Sequence, residues 1–328
     1  MAGPRYDVLG IGNAIVDVIA RAEDDFLVAQ RMSKGAMTLI DEKRAAAIYK
    51  AMGPATEISG GSAANTIVGV ASFGGRAAFV GKVKNDELGH AFAHDIRAAR
   101  VTFDTKPASK GPSTARCYIM VTPDGERTMN TYLGAAQDLS PADIDEDAIG
   151  AAAVVYLEGY LWDPPHAKEA FVKAAGVAHK NGRRVALTLS DAFCVDRYRS
   201  EFLDLIKKGT VDIVFANEHE LRSLYETADF DTGVKALQKD AKLAVVTRSE
   251  KGCVVASKEG VLAVPAFTVE KIVDTTGAGD LFAAGFLAAR LRGRALKSCL
   301  EAGALAAAEV ISHFGARPEA DLRQVVNL

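Results

Sequence analysis

The chain has 328 residues, of which 49 % are apolar, so it is long enough to bury a sizeable core. Its 39 basic and 42 acidic side chains are well mixed and leave a net charge of −3, which argues against nucleic acid or an anionic membrane as a partner. The four cysteines lack metal-ligand or redox spacing, so we expect free thiols. With no targeting pattern and no membrane-spanning run, we expect a cytoplasmic protein that binds a small molecule.

Strand-like runs alternate with helical patterns along most of the chain. Predicted strands cover residues 6–10, 77–80, 154–157, 185–189, 213–216, 243–247 and 261–273. Apolar side chains recur at helical spacing, or form apolar helices, in residues 62–73, 166–180 and 281–291. This alternation predicts an α/β fold with a doubly wound, mostly parallel sheet, which binds its ligands at the carboxyl ends of the strands.

Two segments interrupt this alternation. Residues 117–121 and 128–133 flank Thr122-Pro123-Asp124-Gly125, a turn sequence that predicts a β-hairpin. We expect a single domain over residues 1–328, in which insertions at about 15–40 and 102–133 form a small β-sheet lid over a site. The alternative is that both insertions are edge strands without that role.

Residues 274–280, with the sequence DTTGAGD, carry the strongest chemical signal. Gly277, Ala278 and Gly279 are small enough for the N–H groups of a helix N-terminus to converge on an anion. Asp280 would then accept the proton of a hydroxyl group that attacks a bound phosphate. The pattern therefore indicates phosphoryl transfer to an alcohol. The alternative is a helix cap supplied by Asp274 or Thr275.

Two other segments predict contacts with a ligand that carries several hydroxyl groups. In residues 59–66, Gly61 permits a close approach, and Asn65 offers both a donor and an acceptor. Asn13 and Asp17 follow the first strand, and the apolar neighbours of Asp17 favour a carboxylate that binds vicinal hydroxyl groups. The alternatives are a capped turn at residues 59–66 and a solvated acid at Asp17.

Asn217 and Glu220 follow a buried strand and share one side of the first turn of a helix. Glu220 is a candidate for holding magnesium through its bound water, since magnesium keeps much of its water shell. The same spacing fits a capping box in which Asn217 is the N-cap, and the sequence does not separate the two interpretations.

The polar turn after the strand at 243–247 includes Thr247, Ser249 and Gly252. It is a candidate for contacting a nucleotide, and a plain hairpin turn is the alternative. Arg127, at the predicted hairpin, is a candidate lid cation for a phosphoryl group in transfer. Its alternative is an exposed hairpin arginine.

Taken in order, these segments resemble the PfkB (ribokinase-like) family of carbohydrate and nucleoside kinases over nearly the whole chain. Residues 274–280 match the second signature of that family without a departure, whereas Lys84 replaces a glycine of the first signature. The resemblance implies that Asp280 is the catalytic base and that Gly277, Ala278 and Gly279 form the anion hole. It also implies that Asn217 and Glu220 organise magnesium and phosphates and that Thr247 and Gly252 bind the nucleotide.

The spacing from Gly12 to Asp17 is similar to that of the adenosine kinase branch. This implies phosphorylation of the 5′-hydroxyl of a nucleoside, adenosine to AMP, as in purine salvage, with Asp17, Gly61 and Asn65 at the ribose. ATP and Mg²⁺ are the implied cofactors, and the segment that contains His313 and Gly315 is expected beside ATP. Potassium is a further candidate, with Asp274 and Thr276 as ligands. We expect a monomer or a homodimer.

Three alternatives compete with a nucleoside kinase. The first is a sugar kinase for ribose, fructose or a ketogluconate, although no clear cation accompanies Asp17 to bind a carboxylated sugar. The second is a non-catalytic nucleotide sensor, against which the intact Asp280 argues. The third is a nicotinamide dehydrogenase, but Ile15 replaces the third glycine of its fingerprint.

Overall fold

The computed structural model describes residues 3–326. Within this range the strands are β1 (Tyr6–Ile11), β2 (Ile15–Arg21), β3 (Met37–Leu39), β4 (Ala55–Gly60), β5 (Ala77–Val80), β6 (Val101–Thr102), β7 (Ala115–Val121), β8 (Arg127–Tyr132), β9 (Ala152–Glu158), β10 (Arg184–Thr188), β11 (Ile213–Asn217), β12 (Leu243–Thr247), β13 (Cys253–Ser257) and β14 (Gly260–Val264). The helices are α1 (Asp24–Ala29), α2 (Glu42–Ala51), α3 (Ser62–Ser72), α4 (Glu87–Ala98), α5 (Glu146–Gly150), α6 (Pro165–Lys180), α7 (Ala192–Lys207), α8 (Glu218–Tyr225), α9 (Phe230–Asp240), α10 (Ala278–Leu291), α11 (Leu296–Val310) and α12 (Leu322–Val325).

The larger sheet has nine strands in the order β14-β13-β12-β11-β10-β9-β1-β5-β6. All of its neighbours from β6 to β12 pair in parallel, whereas β13 and β14 are antiparallel. The strand order reverses at β1, which lies between β5 and β9. The predicted α/β fold with a mostly parallel sheet is therefore confirmed. Such a reversal opens a cleft at the carboxyl ends of the two strands, where ligands bind in this class of fold.

Helices cover both faces of the larger sheet. Successive residues of a strand point to opposite faces, so neighbouring apolar residues of one strand pack against different helices. Val8 of β1 packs in a cluster with apolar residues of α3, α10 and α11. The next residue, Leu9, packs in a second cluster with residues of α6 and α7. The two clusters fix the sheet between two helical layers and leave its carboxyl edge to form a site.

The smaller sheet has five strands in the order β3-β8-β7-β2-β4. The predicted hairpin is present as β7 and β8, which pair in antiparallel from Val121 and Arg127 to Arg116 and Tyr132. Strand β4 lies outside the two predicted insertions and forms an edge of this sheet. The second sheet is thus larger than the sequence predicted, while its action as a lid stays a prediction.

The predicted strand at residues 261–273 ends early, at Val264. Its partner β13 pairs with it only from Ser257 to Cys253, and Pro265 follows without an N–H group to continue the ladder. Residues 265–275 form neither helix nor strand before α10 begins. Within residues 3–326, no helix combines the length and the apolar character needed to cross a membrane.

Candidate active site

A cavity of about 610 Å³ lies between the two sheets, at the carboxyl ends of the parallel strands. It brings together side chains that are far apart in the sequence. The predicted site residues that line it are Asn13, Asp17, Gly61, Asn65, Asn217, Glu220, Thr247, Thr276, Gly277, Ala278, Gly279 and Asp280. Most of the predicted catalytic and substrate-binding residues therefore share one site.

Asp280 lies in the first turn of α10 and is held by the start of α3. Its Oδ1 accepts a hydrogen bond from Ser62 Oγ at 2.6 Å, and its Oδ2 accepts one from Asn65 Nδ2 at 3.0 Å. Removal from water raises the pKa of Asp280 to about 6, although both hydrogen bonds and the charge of Arg317 lower it. The carboxylate is therefore mainly ionised at neutral pH, with a pKa suited to accepting a proton.

The turn before Asp280 presents free backbone donors. Gly277 is the N-cap of α10 with φ of 79°, a left-handed conformation that favours glycine. A Cβ atom there would also lie 2.8 Å from Cα of Ala316. In the part of the chain that the structure describes, only Ala278 among residues 277–280 donates its N–H group, to Thr275 O at 3.3 Å. The other N–H groups at this positive helix end are available to an anion.

Glu158 is a buried residue of the site that the sequence analysis did not identify. Its Oε1 accepts hydrogen bonds from Asn13 N at 3.2 Å and Asn13 Nδ2 at 2.6 Å, and its Oε2 accepts one from Ala63 N at 2.8 Å. Burial raises the pKa of Glu158 to about 7 in spite of these bonds. Glu158 thus ties the end of β1 to the start of α3. Its signal in the sequence is an acid at the end of an apolar strand.

Asp17 lines the cavity from the small sheet, on β2, which lies between β7 and the edge strand β4. Burial raises the pKa of Asp17 to about 6, and the charge of Asp280 raises it further, while Arg317 and Arg127 lower it. Arg317, also missed in the sequence, donates to Ser59 O at 3.1 Å and to Ala64 O at 2.9 Å. Its guanidinium therefore supplies the local positive charge that a nearly neutral chain would otherwise lack.

Asn217 and Glu220 form a capping box, which is one of the two interpretations that the sequence did not separate. Asn217 Oδ1 accepts the N–H of Glu220 at 2.9 Å, and Glu220 Oε2 accepts the N–H of Asn217 at 3.0 Å. Both residues also line the cavity, so capping does not remove them from the site. Burial, with a contribution from the charge of Asp191, raises the pKa of Glu220 to about 7. Among the described residues, no three His, Cys, Asp or Glu side chains are grouped so that they could hold a metal ion, so magnesium at Glu220, held through water, stays a prediction.

Of the predicted nucleotide-binding residues, Asn217 and Thr247 line the large cavity, whereas Ser249, Gly252 and His313 do not. Thr247 ends β12 at the cavity wall, next to Asn217 on β11. Ser249 is exposed in the turn between β12 and β13, and neither it nor Gly252 belongs to the wall within residues 3–326. His313 also lies away from that wall. The turn between β12 and β13 is therefore a hairpin turn, which was the alternative interpretation. Its contact with a nucleotide stays a prediction.

Arg127 and Asp274 lie in positions that the sequence did not anticipate. They form an ion pair whose side chains are only 8 % and 4 % exposed, and neither residue is among those lining the large cavity in residues 3–326. Asp274 also accepts the N–H groups of Thr276 at 3.0 Å and Gly315 at 2.9 Å. Arg127 is thus neither an exposed hairpin residue nor part of the substrate wall. A potassium ion at Asp274 and Thr276 stays a prediction, and it would have to share the Asp274 carboxylate with Arg127.

The small sheet presents a mainly apolar surface to the cavity. Alternate residues of its strands face the same way, and the apolar ones on this wall are Ile15, Met37, Leu39, Cys117, Ile119 and Met129. Asp17 and Thr131 are the polar residues that these strands add to the wall in the described range. Met37 and Leu39 are 47 % and 58 % exposed, so this apolar wall is open to a ligand.

The comparison with known sequences identifies a family. Residues 40–322 match the pfkB family carbohydrate kinase. The chain is 32 % identical over 237 residues to the probable fructokinase-6, chloroplastic, of Arabidopsis thaliana, covering 70 % of this chain and 61 % of that protein. It is 32 % identical over 234 residues to fructokinase-2 of Solanum habrochaites, covering 70 % and 71 % respectively.

Solved structures are similar over nearly the whole chain. The adenosine kinase of Sinorhizobium meliloti is 56 % identical, with a TM-score of 0.91 and coverage of 98 % of this chain and 99 % of that one. The probable sugar kinase protein of Rhizobium etli is 52 % identical, with a TM-score of 0.92 and coverage of 99 % and 98 %. The adenosine kinase of Schistosoma mansoni in complex with 2-fluoroadenosine is 25 % identical, with a TM-score of 0.84 and coverage of 98 % and 99 %. The family match, these similarities and the position of Asp280 at its helix N-terminus show that the chain belongs to the pfkB family of carbohydrate kinases.

Proposed function

We propose that this kinase transfers a phosphoryl group from ATP to the 5′-hydroxyl of a nucleoside, and that the nucleoside is adenosine. The observation that carries the choice of substrate is the apolar wall of the small sheet beside Asp17. A purine ring is flat and largely apolar on its faces, so it would cover that wall, which a free sugar would leave in contact with water.

The ribose would bind to the polar residues around Asp17. Asp17 is an acceptor for two vicinal hydroxyl groups, and the same cavity is lined by Asn13, just after β1, and by Asn65, in the first turn of α3. The side-chain oxygens Oδ1 of Asn13 and Asn65 are buried and accept no hydrogen bond within residues 3–326. Gly61 has φ of 98°, and a Cβ atom there would lie 2.3 Å from Asn13 O, so the turn stays tight and free of side chains.

The chemical step follows from the position of Asp280. The 5′-hydroxyl loses its proton to the Asp280 carboxylate as its oxygen bonds to the γ-phosphorus of ATP and the bond to the ADP oxygen breaks. The free N–H groups at the start of α10 stabilise the charge on the phosphoryl oxygens. ATP is placed on the side of Asn217 and Thr247, and magnesium near Glu220 would neutralise phosphate charge.

A sugar kinase is the competing activity, supported by the fructokinases among the relatives in sequence and by the probable sugar kinase of Rhizobium etli. A sugar such as fructose carries hydroxyl groups that need partners along its length. The wall beside Asp17 offers mainly apolar side chains. A ketogluconate would in addition need a cation for its carboxylate, and the two arginines near Asp17 have other partners: Arg127 pairs with Asp274, and Arg317 donates to the carbonyl oxygens of Ser59 and Ala64.

The test is a substrate screen that couples ADP release to a spectrophotometric reaction. Adenosine, other nucleosides, ribose, fructose and a ketogluconate are compared at equal concentration with Mg-ATP. We expect adenosine to have the highest kcat/KM, and phosphorus NMR of the product should show a 5′-monophosphate. A reaction without acceptor measures background hydrolysis of ATP.

Two results would replace this proposal. A higher kcat/KM for fructose or ribose than for every nucleoside would make the protein a sugar kinase. ATP binding in calorimetry without turnover of any acceptor would favour the nucleotide sensor.

A further inference from the structure

A buried ion pair joins the small sheet to the segment that leads into α10, beside the site. Arg127 is the first residue of β8 in the small sheet, and its Nη1 donates to Oδ2 of Asp274. Asp274 lies six positions before Asp280, in the segment that leads into α10. Because Arg127 lies on the small sheet and Asp274 lies in the irregular segment before α10, 147 residues away, the pair links the position of the small sheet to the start of that helix.

Asp274 organises the backbone that follows it. Its Oδ1 accepts from Thr276 N at 3.0 Å and Thr276 Oγ1 at 2.7 Å, and its Oδ2 accepts from Gly315 N at 2.9 Å. Gly315 precedes Ala316, whose Cα lies against Gly277 closely enough to exclude a side chain there. The carboxylate of Asp274 therefore holds both chain segments that shape the turn at Gly277, one at Thr276 and one at Gly315.

Stability alone is a weak reason for such a pair. Removing two charges from water costs several kcal/mol per ion, so a buried pair often adds little to the free energy of unfolding. What the pair does provide is a defined geometry, because it fixes the segment around Asp274 against the first residue of β8. A small displacement of the turn would move the N–H groups that face the anion.

We propose that Arg127 is a positioning residue that acts through Asp274 to hold the free N–H groups at the start of α10 in place for the migrating phosphoryl group. This inference rests on the proposed kinase reaction at Asp280. Movement of the small sheet over a bound substrate thereby adjusts the anion hole. The alternative role is direct contact of Arg127 with the phosphoryl group. In that case Arg127 would pair with Asp274 only while no substrate is bound.

The test compares Arg127→Met, Asp274→Asn and the double variant. Met keeps most of the length of Arg without its charge, and Asn keeps an acceptor for the N–H of Thr276. We expect each single variant to lose roughly 10- to 100-fold in kcat, since misplacement by about 1 Å costs about 10²-fold, while KM for ATP and for adenosine changes little. The double variant should lose no more than either single variant, because both changes break one linkage.

Rescue separates positioning from a general loss of structure. Arg127 and Thr276 line a smaller cavity of about 170 Å³, so an added methylguanidinium ion has space beside Asp274 when the side chain is shortened. We expect Arg127→Lys to keep more kcat than Arg127→Met, and methylguanidinium to restore part of the kcat of an Arg127→Ala variant. The matched control is Lys82→Met, which breaks the half-buried pair Lys82–Asp143 outside both cavities and should lower the melting temperature without lowering kcat.

Hydrogen exchange in the free protein gives a readout that does not need turnover. The hydrogen-bonded amides of Thr276, Ala278 and Leu281 should exchange faster in Arg127→Met and Asp274→Asn than in the wild type and in Lys82→Met. Unchanged kcat and exchange in Arg127→Met would overturn the proposal. Loss of kcat in Arg127→Met with full kcat in Asp274→Asn would instead assign Arg127 to direct contact with the phosphoryl group. A wild type that phosphorylates no acceptor would refute the kinase reaction, while the exchange data would still decide whether the pair orders the turn.

Discussion

The two carboxylates that the site needs lie on a strand of the small sheet and at the start of a helix, and they share one electrostatic environment. Asp17 on β2 and Asp280 on α10 each have a pKa raised to about 6, and Arg317 lowers the pKa of both. Asp280 has neighbours that fix its two oxygens, whereas Asp17 faces the cavity beside an apolar wall. This difference supports the roles proposed here, in which Asp280 takes a proton and Asp17 holds hydroxyl groups.

Replacing the base removes turnover without removing the site. In Asp280→Asn we expect kcat to fall by about 10²- to 10⁴-fold, because an amide cannot accept the proton of the attacking hydroxyl group. ATP affinity, measured by calorimetry, should stay close to that of the wild type. Asp25→Asn, on the exposed start of α1, is the control and should leave kcat unchanged. Turnover close to the wild-type rate in Asp280→Asn would rule out its role as base.

The acid limb of the pH profile reports the same carboxylate. We expect kcat at saturating substrate to rise with pH through about 6 and to level off above pH 7, because the base is active only when it is ionised. Ser62→Ala removes a hydrogen bond that lowers the pKa of Asp280, so the limb should move to higher pH by up to about one unit. Ser72→Ala, at the other end of α3, should leave the limb in place, and a limb unmoved by Ser62→Ala would contradict the assignment.

Loss of folding does not explain a falling rate in that pH window. The folded-state pKa values of Asp17 and Asp280 lie above the ordinary 3.8. Between about pH 6 and pH 4 the folded protein therefore binds protons at these sites that the unfolded chain does not bind. By linkage, these two groups make the free energy of unfolding larger as the pH falls through that window.

Elements differ in how far the sequence predicts them. Strands β1 and β12 and helix α10 are long, apolar and bounded by clear turns, and they form where the sequence predicts them. Strand β4, with Glu57 and exposed residues at its start, has no such pattern and forms because β2 offers it an edge. Short strands depend on a partner for their hydrogen bonds, so local pattern predicts them poorly.

The three-residue strand β3 provides an element-scale test of substrate choice. Leu39→Ser reduces the apolar area that a purine ring would cover, and we expect KM for adenosine to rise by about tenfold, which corresponds to about 1.4 kcal/mol. KM for ATP should not change. Val172→Ser, an exposed apolar residue of α6 away from the cavity, is the matched control. An unchanged KM for adenosine in Leu39→Ser would mean that the purine ring binds elsewhere.

At the scale of the whole molecule, the cavity exists only because the small sheet stands against the larger one. The chain passes between the sheets at the Gly12–Ala14 turn and at Gly61, next to the residues that are proposed to bind ribose. Closure of the small sheet would exclude water from the phosphoryl group and complete the wall around the purine ring. The predicted lid role thus has a mechanical basis in the position of these turns.

Small-angle scattering tests that closure. We expect the radius of gyration to decrease when adenosine and a non-hydrolysable ATP analogue are added together, because the small sheet moves toward the larger one. Asp17→Asn serves as the control, since weaker binding of ribose should remove the decrease at the same adenosine concentration. Identical scattering with and without both ligands would refute closure of the small sheet.

Local information in the sequence determined the alternation of strands and helices and the identity of the DTTGAGD turn, because periodicity and small residues act over a few neighbouring positions. Only the tertiary structure decided that Glu158 bonds to Asn13, that Arg317 lies near both acids, and that Arg127 pairs with Asp274. Charged side chains look alike in a sequence whether they face water or each other. Their roles here depend on contacts between residues more than a hundred positions apart, which the packing of the two sheets creates.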